Sequence, residues 1–538
     1  MSSATFDSVQ AYESARETLI QQDRSLRLDY KRPPLTQDEA AADQYIRQLR
    51  AQEAKSVWGA SHEDVPHPFP GMEFLTGKAI VEQTELFKLL KKMPKGALLH
   101  CHLDATVDAK VLLQLALEHP EIHVRANSPL ASDCVRTALP EFKPIFSSDA
   151  KTTSSVCASS GYEAGSWVPI VKARESFDEA LGGPEGFDKW VLSGLMINAS
   201  EAYDTHNTIE KIWEKFISTF GVARGIIHYV PIFSKYIKAS LLASIEDGIS
   251  YIEPRIYFQD EFMCGVDGEV NVPHRQWLQM FDTVVQGLHA ELANQGRQEE
   301  FVGARLIYSV GKTLTPEQLK WYTDDCIQLK QQFPHIMAGF DLVGPENISV
   351  PLKTYVPTLL EFNAKVKSLG LELPLILHAG ETLGDGDEPD SNLYDAILLG
   401  TKRIGHGFSL AKHPELLRLC REGEILIEVC PISNEVLRLT SSMPMHPLPI
   451  LINHGVHVAI CSDDPCQWGS MGLTCDFYQV IASSEVTGLI MLGEMAKDSI
   501  VYSRMSDNDK TRAMTTWNRR WAAYVKELAS LGRSTESQ

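Results

Sequence analysis

Short apolar runs recur along the chain from residue 97, each closed by a polar residue and followed by a stretch with helical spacing. They are "ALLHCHL" (97–103), "ISYIEPRIYF" (249–258), "ARLIYSV" (304–310), "IMAGFDLVG" (336–344), "LPLILHAGE" (373–381), "RIGHGF" (403–408), "ILIEVCPIS" (425–433) and "HVAICSDDP" (457–465). Buried strands that alternate with helical crossovers make a parallel sheet, and eight such units predict an α/β fold closed as a (β/α)8 TIM-type barrel. An open doubly wound sheet is the alternative. The gap between the first two runs, about 104 to 248, is too long for one crossover and predicts an inserted lobe with helices of its own. Ahead of the first run, residues 1–92 read as helices ("DSVQAYESARETLIQQ", "TQDEAAADQYIRQLRAQEA", "AIVEQTELFKLLKKM") separated by Pro-containing breaks, an extension that either caps the barrel or dimerises. Residues 531–538 read as a polar C-terminal tail.

Composition narrows the partners. Hydrophobic residues make up 44% and charged residues 22%, as in a chain with a large core. Seventy acidic against 50 basic residues give a net charge of −20, a field that disfavours nucleic acid and anionic membrane. No apolar run approaches the roughly 18 residues of a spanning helix. The polar, mixed-charge start lacks the apolar core of a secretory signal, so the expected compartment is the cytoplasm. Ten cysteines without a C-x-x-C pair suggest neither a disulfide scaffold nor a structural zinc. Cys134 and Cys157, in a loop-like stretch, could bridge under oxidising conditions.

The chemistry collects at the ends of the runs. His100 and His102 lie one residue apart, so both project to one side of an extended chain. The fifth run supplies His378 and Glu381, the sixth His406, and the eighth Asp463 and Asp464. The carboxyl ends of barrel strands converge on one mouth. Three imidazoles and one carboxylate suit a catalytic zinc that keeps a position for water. Zinc lowers the pKa of such a water towards about 7. Glu381 is then the candidate to carry a proton to substrate, and Asp464 to orient the water. Gly405 and Gly407 leave room beside His406. Barrels with two metals commonly bridge them with a lysine on the fourth strand. "IMAGFDLVG" has none, which favours a single metal. The H-x-E and P-C-x-x-C pattern of cytidine-type deaminases is absent.

"MPKGALLHCHLD", "AGFDLVGPE", "HAGET", "NLYDAILLGTKRIGHGF", "IEVCPISNEVL" and "SDDP", in this order, resemble the adenosine deaminase superfamily, and more closely its adenosine deaminase-related growth factor branch, over about residues 40–525. The resemblance implies zinc-dependent hydrolysis of adenosine and 2′-deoxyadenosine, one zinc per chain held by His100, His102, His378 and Asp463. It implies that Glu381 protonates N1 of the purine while C6 is attacked, that His406 stabilises the nucleophile, and that Asp464 acts beside the ligand Asp463. Gly344 would give its backbone N–H to the purine, Trp213 would close the nucleoside pocket, and Asp104 would contact the ribose. It also implies an N-terminal dimerisation segment at 1–92, a deaminase barrel over 93–530 with its inserted lobe at about 125–185, a Cys134–Cys157 disulfide and a homodimer. Members of that branch are usually secreted, which stands as the alternative compartment, and in secreted animal members an aspartate follows H-x-H directly, where this chain has Leu103. Alternative substrates are AMP, other adenosine phosphates and N6-substituted adenosines. A mainly non-enzymatic, growth-factor-like binding protein is the alternative from another class. After Asp104 the segment "ATVDAK" offers only Lys110 as a cation for a 5′-phosphate, unless Lys151, Lys172 and Arg174 of the inserted lobe fold over the mouth.

Overall fold

In the computed structural model, which describes residues 6–146 and 155–536, each of the eight runs contains a strand of one parallel barrel. The strands are β1 (Gly96–Leu98), β2 (Ile249–Ile252 and Arg255–Tyr257), β3 (Gly303–Ala304 and Leu306–Gly311), β4 (Met337–Val343), β5 (Leu377–Ala379), β6 (Arg403–His406), β7 (Leu426–Val429) and β8 (Val458–Ile460). Parallel ladders join β1 to β2, β2 to β3 and β3 to β4, then β5 through to β8. Two single bridges complete the circle, Phe340 to Leu375 between β4 and β5, and Cys101 to Asp463 between β8 and β1. The strands are buried on both faces, which is why they read as continuous apolar runs rather than as alternation.

The second strand is interrupted at Glu253–Pro254. Pro254 has no N–H for the ladder, so the register is carried by its neighbours, with Glu253 N–H donating to Leu98 O and Arg255 N–H to Cys101 O. Between β1 and β2 the chain forms a small antiparallel sheet (Ile122–Arg125, Glu141–Pro144, Val168–Pro169) and the helices Gly183–Leu195, Ile209–Ile227 and Val230–Glu246. In this lobe Cys134 and Cys157 are free thiols.

The N-terminal extension is helical. Its third predicted stretch is two helices, Phe74–Val81 and Glu85–Lys91, because the Thr84 side chain accepts the Phe87 N–H and starts a new helix. Helix Gln37–Ser56 opens with a Thr36–Glu39 capping box and packs along the C-terminal helix Asp507–Glu536. The expected tail at 531–538 is therefore helical as far as Glu536: Gly532 sits against the Tyr45 ring and Arg533 pairs with Asp38 at 3.2 Å, contacts that continue the helix. No helix among the described residues is long and apolar enough to cross a membrane.

Candidate active site

Beyond β1 the chain stays extended, so His100 and His102 keep their common side, and His102 N–H donates to Asp463 O while Asp463 N–H donates to His100 O. His378 enters from β5. The carboxylate of Asp463 follows β8 from a left-handed backbone, φ 56°, a conformation that costs a non-glycine residue energy and is found where side chains must be aimed. One ligand atom from each of His100, His102, His378 and Asp463 lies within 4.8 Å of the others. His100 Nε2 and Asp463 Oδ1 approach to 3.2 Å, yet neither buried atom has a hydrogen-bond partner. Two orphaned acceptors side by side, with more lone-pair nitrogens beside them, fit a cation. A second grouping, His100, His406, Cys430 and Asp463, fits less well, because burial keeps Cys430 a thiol and it donates to Glu428 O.

The imidazoles are held from behind. His100 Nδ1 donates to Glu428 at 2.8 Å and His378 Nδ1 to Asp341 at 2.7 Å, which leaves each Nε2 lone pair facing inward. Burial lowers the His378 imidazole to about 3, so it is neutral as a ligand must be. The buried guanidinium of Arg255 bridges the two carboxylates, at 2.6 Å from Asp341 and 2.7 Å from Glu428, and donates to Leu99 O. Arg403 joins Glu428 to Glu253 on the far side. Burial raises both acids, but the neighbouring His and Arg charges outweigh it and hold Asp341 and Glu428 well below the usual range.

This cluster opens on a cavity of about 320 Å³ lined by His102, His378, Asp463, Glu381, His406, Asp464, Gly344, Asp104 and Trp213, with His100 buried beneath. Every residue named in the sequence as a metal ligand, a catalytic group or a substrate contact thus meets here. Glu346, which was not singled out, seats Glu381: its carboxylate accepts the N–H groups of Gly380 (3.1 Å) and Glu381 (2.7 Å). Burial, and then the charges of Asp463 and Glu346, raise the Glu381 carboxyl well above its ordinary value. Burial and Asp463 do the same to Asp464. His406, φ 67°, places Nε2 3.4 Å from Glu381 Oε1 and 3.7 Å from Asp463 Oδ2. Gly344, φ 127°, takes a backbone conformation that only glycine adopts without strain.

Of one wall of the cavity, Trp213 and no other residue was singled out in the sequence. Trp213, Phe216, Ile217, Phe220, Gly221 and Arg224 form one face of helix Ile209–Ile227 and line the pocket. Their i, i+3, i+4 spacing was the available signal. Arg224 also corrects the expectation that Lys110 is the only cation near Asp104: its Nε donates to Asp104 Oδ2 at 3.0 Å, and its guanidinium stacks 4.0 Å from the Tyr257 ring. The pairing joins residues 120 positions apart, so no local motif announced it. Lys110 and Arg174 line a different hollow, where Arg174 is paired with Asp188, and Lys172 is exposed. Lys151 lies outside the described residues.

A family model described as "Adenosine deaminase" matches residues 196–516, and one described as "Adenosine/AMP deaminase N-terminal" matches residues 2–90. The chain is 31% identical over 497 residues to an adenosine deaminase of Phlebotomus duboscqi, covering 92% of this chain and 88% of the relative. It is 32% identical over 462 residues to adenosine deaminase 2-A of Danio rerio, covering 85% of each. Among solved structures, Arabidopsis ADAL complexed with IMP superposes with a TM-score of 0.52 over 81% of this chain and 99% of that one; at 15% identity the likeness is one of fold.

Proposed function

The chain belongs to the adenosine deaminase family, and from that membership we propose that it hydrolyses adenosine and 2′-deoxyadenosine at C6, yielding inosine or 2′-deoxyinosine and ammonia. One observation carries the reading: the three-histidine, one-aspartate cluster and the buried acid Glu381 open on the same cavity. His100, His102, His378 and Asp463 hold one zinc, a donor set typical of that metal. Bound there, zinc supplies Lewis-acid activation of water.

The chain's own groups do the rest. Glu381, kept protonated by burial, gives its proton to purine N1 as the C6–O bond forms; of the two protons of the attacking water, one passes to the C6 amino group, which leaves as ammonia when the C6–N bond breaks, and the other restores Glu381. Asp464 orients the attacking water, and the Gly344 N–H holds the purine edge. Trp213, Phe216 and Phe220 cover the base and exclude bulk water.

At the ribose end, Asp104 and Arg224 form an ion pair whose charges cancel. It therefore offers a 5′-phosphate no net attraction to offset the hydration that a dianion loses on entering the pocket. A free 5′-hydroxyl, which can donate to Asp104, suits the pair, so the substrate is a nucleoside. The exposed N-terminal helix Val9–Asp23, which buries none of its residues, mates with that of a second copy to form a homodimer.

The test is turnover of adenosine and AMP, followed by loss of the adenine absorbance, in the zinc-replete enzyme and in Glu381→Gln. The expected result is a kcat/KM for adenosine at least about tenfold above that for AMP. Glu381→Gln should keep its zinc and lose about 10²–10⁴-fold in kcat. A preference for AMP would overturn the nucleoside assignment, and near-normal kcat in zinc-replete Glu381→Gln would overturn the role of that acid.

A further inference from the structure

We propose that Asn434 and His446 are positioning residues that fix the tautomer of His406, so that His406 serves the reaction as an Nε2–H donor and not as a general base. The chain of donors starts at a group whose role is beyond choice. The backbone N–H of Leu448 donates to His446 Nδ1 at 3.0 Å. A main-chain N–H can only donate, so Nδ1 carries the lone pair and a neutral His446 carries its proton on Nε2. Burial lowers this imidazole to about 3, which keeps it neutral.

From there each link forces the next. His446 Nε2 stands 3.1 Å from Asn434 Oδ1 and donates to it. That contact orients the amide, because the flipped Asn434 would set its NH₂ against the Nε2–H, two donors face to face. The Asn434 NH₂ is then turned to His406 Nδ1, at 3.1 Å, which must accept. With Nδ1 accepting, the neutral His406 ring carries its proton on Nε2. That nitrogen looks into the cavity, 3.4 Å from Glu381 Oε1 and 3.7 Å from Asp463 Oδ2, and an N–H there points its donor at the Asp463 carboxylate.

The three side chains are held for this purpose. His406, Asn434 and His446 are 1%, 0% and 4% exposed. The main-chain carbonyl of Asn434 accepts the N–H groups of Leu439 and Thr440, which folds the following loop back over it, and Phe408 packs edge-on against His446 at 5.4 Å. A base at His406 would need its lone pair on Nε2 and an acceptor at Nδ1, and the Asn434 NH₂ occupies that place. Hydrogen-bond donation from His406 stabilises negative charge that develops on the attacking oxygen, a role that geometry alone can supply.

The kinetic part of the proposal rests on the deaminase reading; the tautomer can be measured without turnover. The first experiment is ¹⁵N NMR of the zinc-loaded enzyme labelled at histidine nitrogens, with the His406 signals assigned by their loss in His406→Gln. The expected spectrum shows protonated Nε2 and unprotonated Nδ1 in the wild type, and protonated Nδ1 in Asn434→Asp, whose carboxylate accepts. In steady-state assays Asn434→Asp should keep one zinc per chain and a KM within about threefold, while kcat falls about 10²-fold or more, since an imidazole held in the wrong tautomer cannot serve. His446→Phe should lose kcat in the same way. His446→Gln, whose side-chain amide can present an N–H where Nε2–H stood, should recover most of it.

A wild-type spectrum with the proton on Nδ1 would overturn the proposal. So would Asn434→Asp with kcat within threefold of normal, or His446→Gln as impaired as His446→Phe, a pattern that marks packing alone. If Asn434→Asp does not fold, the wild-type spectrum and the His446 pair decide. A wild type that turns over no adenosine sinks the deaminase reading and leaves the tautomer measurement standing.

Discussion

Glu435 shows how a single buried acid can set the pH response of the fold. Its Oε2 accepts the Phe74 N–H and the Tyr203 hydroxyl, both at 2.9 Å, while Oε1 has no partner. Burial pushes its pKa up to about 8, against an ordinary value of 4.5. Between these values the folded state keeps a proton that the unfolded chain has released, so this group's contribution falls as pH rises, by up to about 1.4 kcal/mol per pH unit, and levels off above the folded pKa. Glu435→Gln removes the ionisation. Calorimetry of both proteins from about pH 5 to 8.5 should show a flatter decline of Tm for the variant and a higher Tm at the alkaline end; parallel curves would exclude Glu435 as the source. At this scale the sequence was legible where chemistry is local. His100 and His102 share a side by spacing alone, and "HAGE" and "SDDP" put acids beside ligands. Arg255, Glu428, Asn434 and Arg224 were not legible, because each acts on a partner supplied by another strand or helix. Glu428 reaches His100 across 328 residues.

Strands fared better than the helix that covers them. All eight barrel strands announced themselves as apolar runs, since a strand buried on both faces needs no alternation. Helix Ile209–Ile227 lay in the long gap between the first two strands, and apart from Trp213, which the family resemblance pointed to, its aromatic face has the same spacing as any core-facing helix, so its position over the mouth is a tertiary fact. Strand β6 carries a further element-level constraint. Gly405 sits on the strand between Ile404 and His406, and a Cβ there would lie 2.7 Å from His100 Cε1 and 3.4 Å from His378 Cγ. The histidine rings are pinned by Glu428 and Asp341, so they have little freedom to retreat. Gly405→Ala should therefore displace the His100 ring, one of the proposed zinc ligands, and weaken zinc binding by about 10-fold or more, as loss of supporting contacts commonly does. Competition with a chelator measures it, and unchanged zinc affinity in a folded Gly405→Ala protein would mean that the rings move aside freely.

Over the whole molecule, the N-terminal extension divides into a part the barrel needs and a part it does not. Helix Gln37–Ser56 buries Ile46 against the core, and Arg50 donates to the carbonyl oxygens of Ile481, Ser484 and Thr487 while Arg47 donates to those of Glu485 and Val486, tying down one loop. Trp58 Nε1 donates to the Tyr478 hydroxyl, and Phe74 packs in the cluster that also holds Trp213 and Trp468. Helix Val9–Asp23 has no such hold: Val9, Tyr12 and Leu19 are 73%, 52% and 58% exposed. A 15-residue helix is marginal in water on its own. Within one chain its apolar side chains gain little beyond the edge-on contact of Tyr12 with Phe6 at 5.4 Å, and the proposed homodimer gives them a surface. Two truncations separate the roles. Removal of residues 1–24 should convert a dimer to a monomer, read by light scattering at micromolar concentration, and leave Tm of the barrel within a few degrees. Removal of residues 1–92 should yield insoluble or unfolded protein, because it strips Ile46, Trp58 and Phe74 from the core together, and even one large buried side chain is worth about 3–5 kcal/mol. A full-length chain that is monomeric at that concentration would refute the dimer, and a soluble, cooperatively folded product of the longer deletion would show that the barrel is complete without its extension.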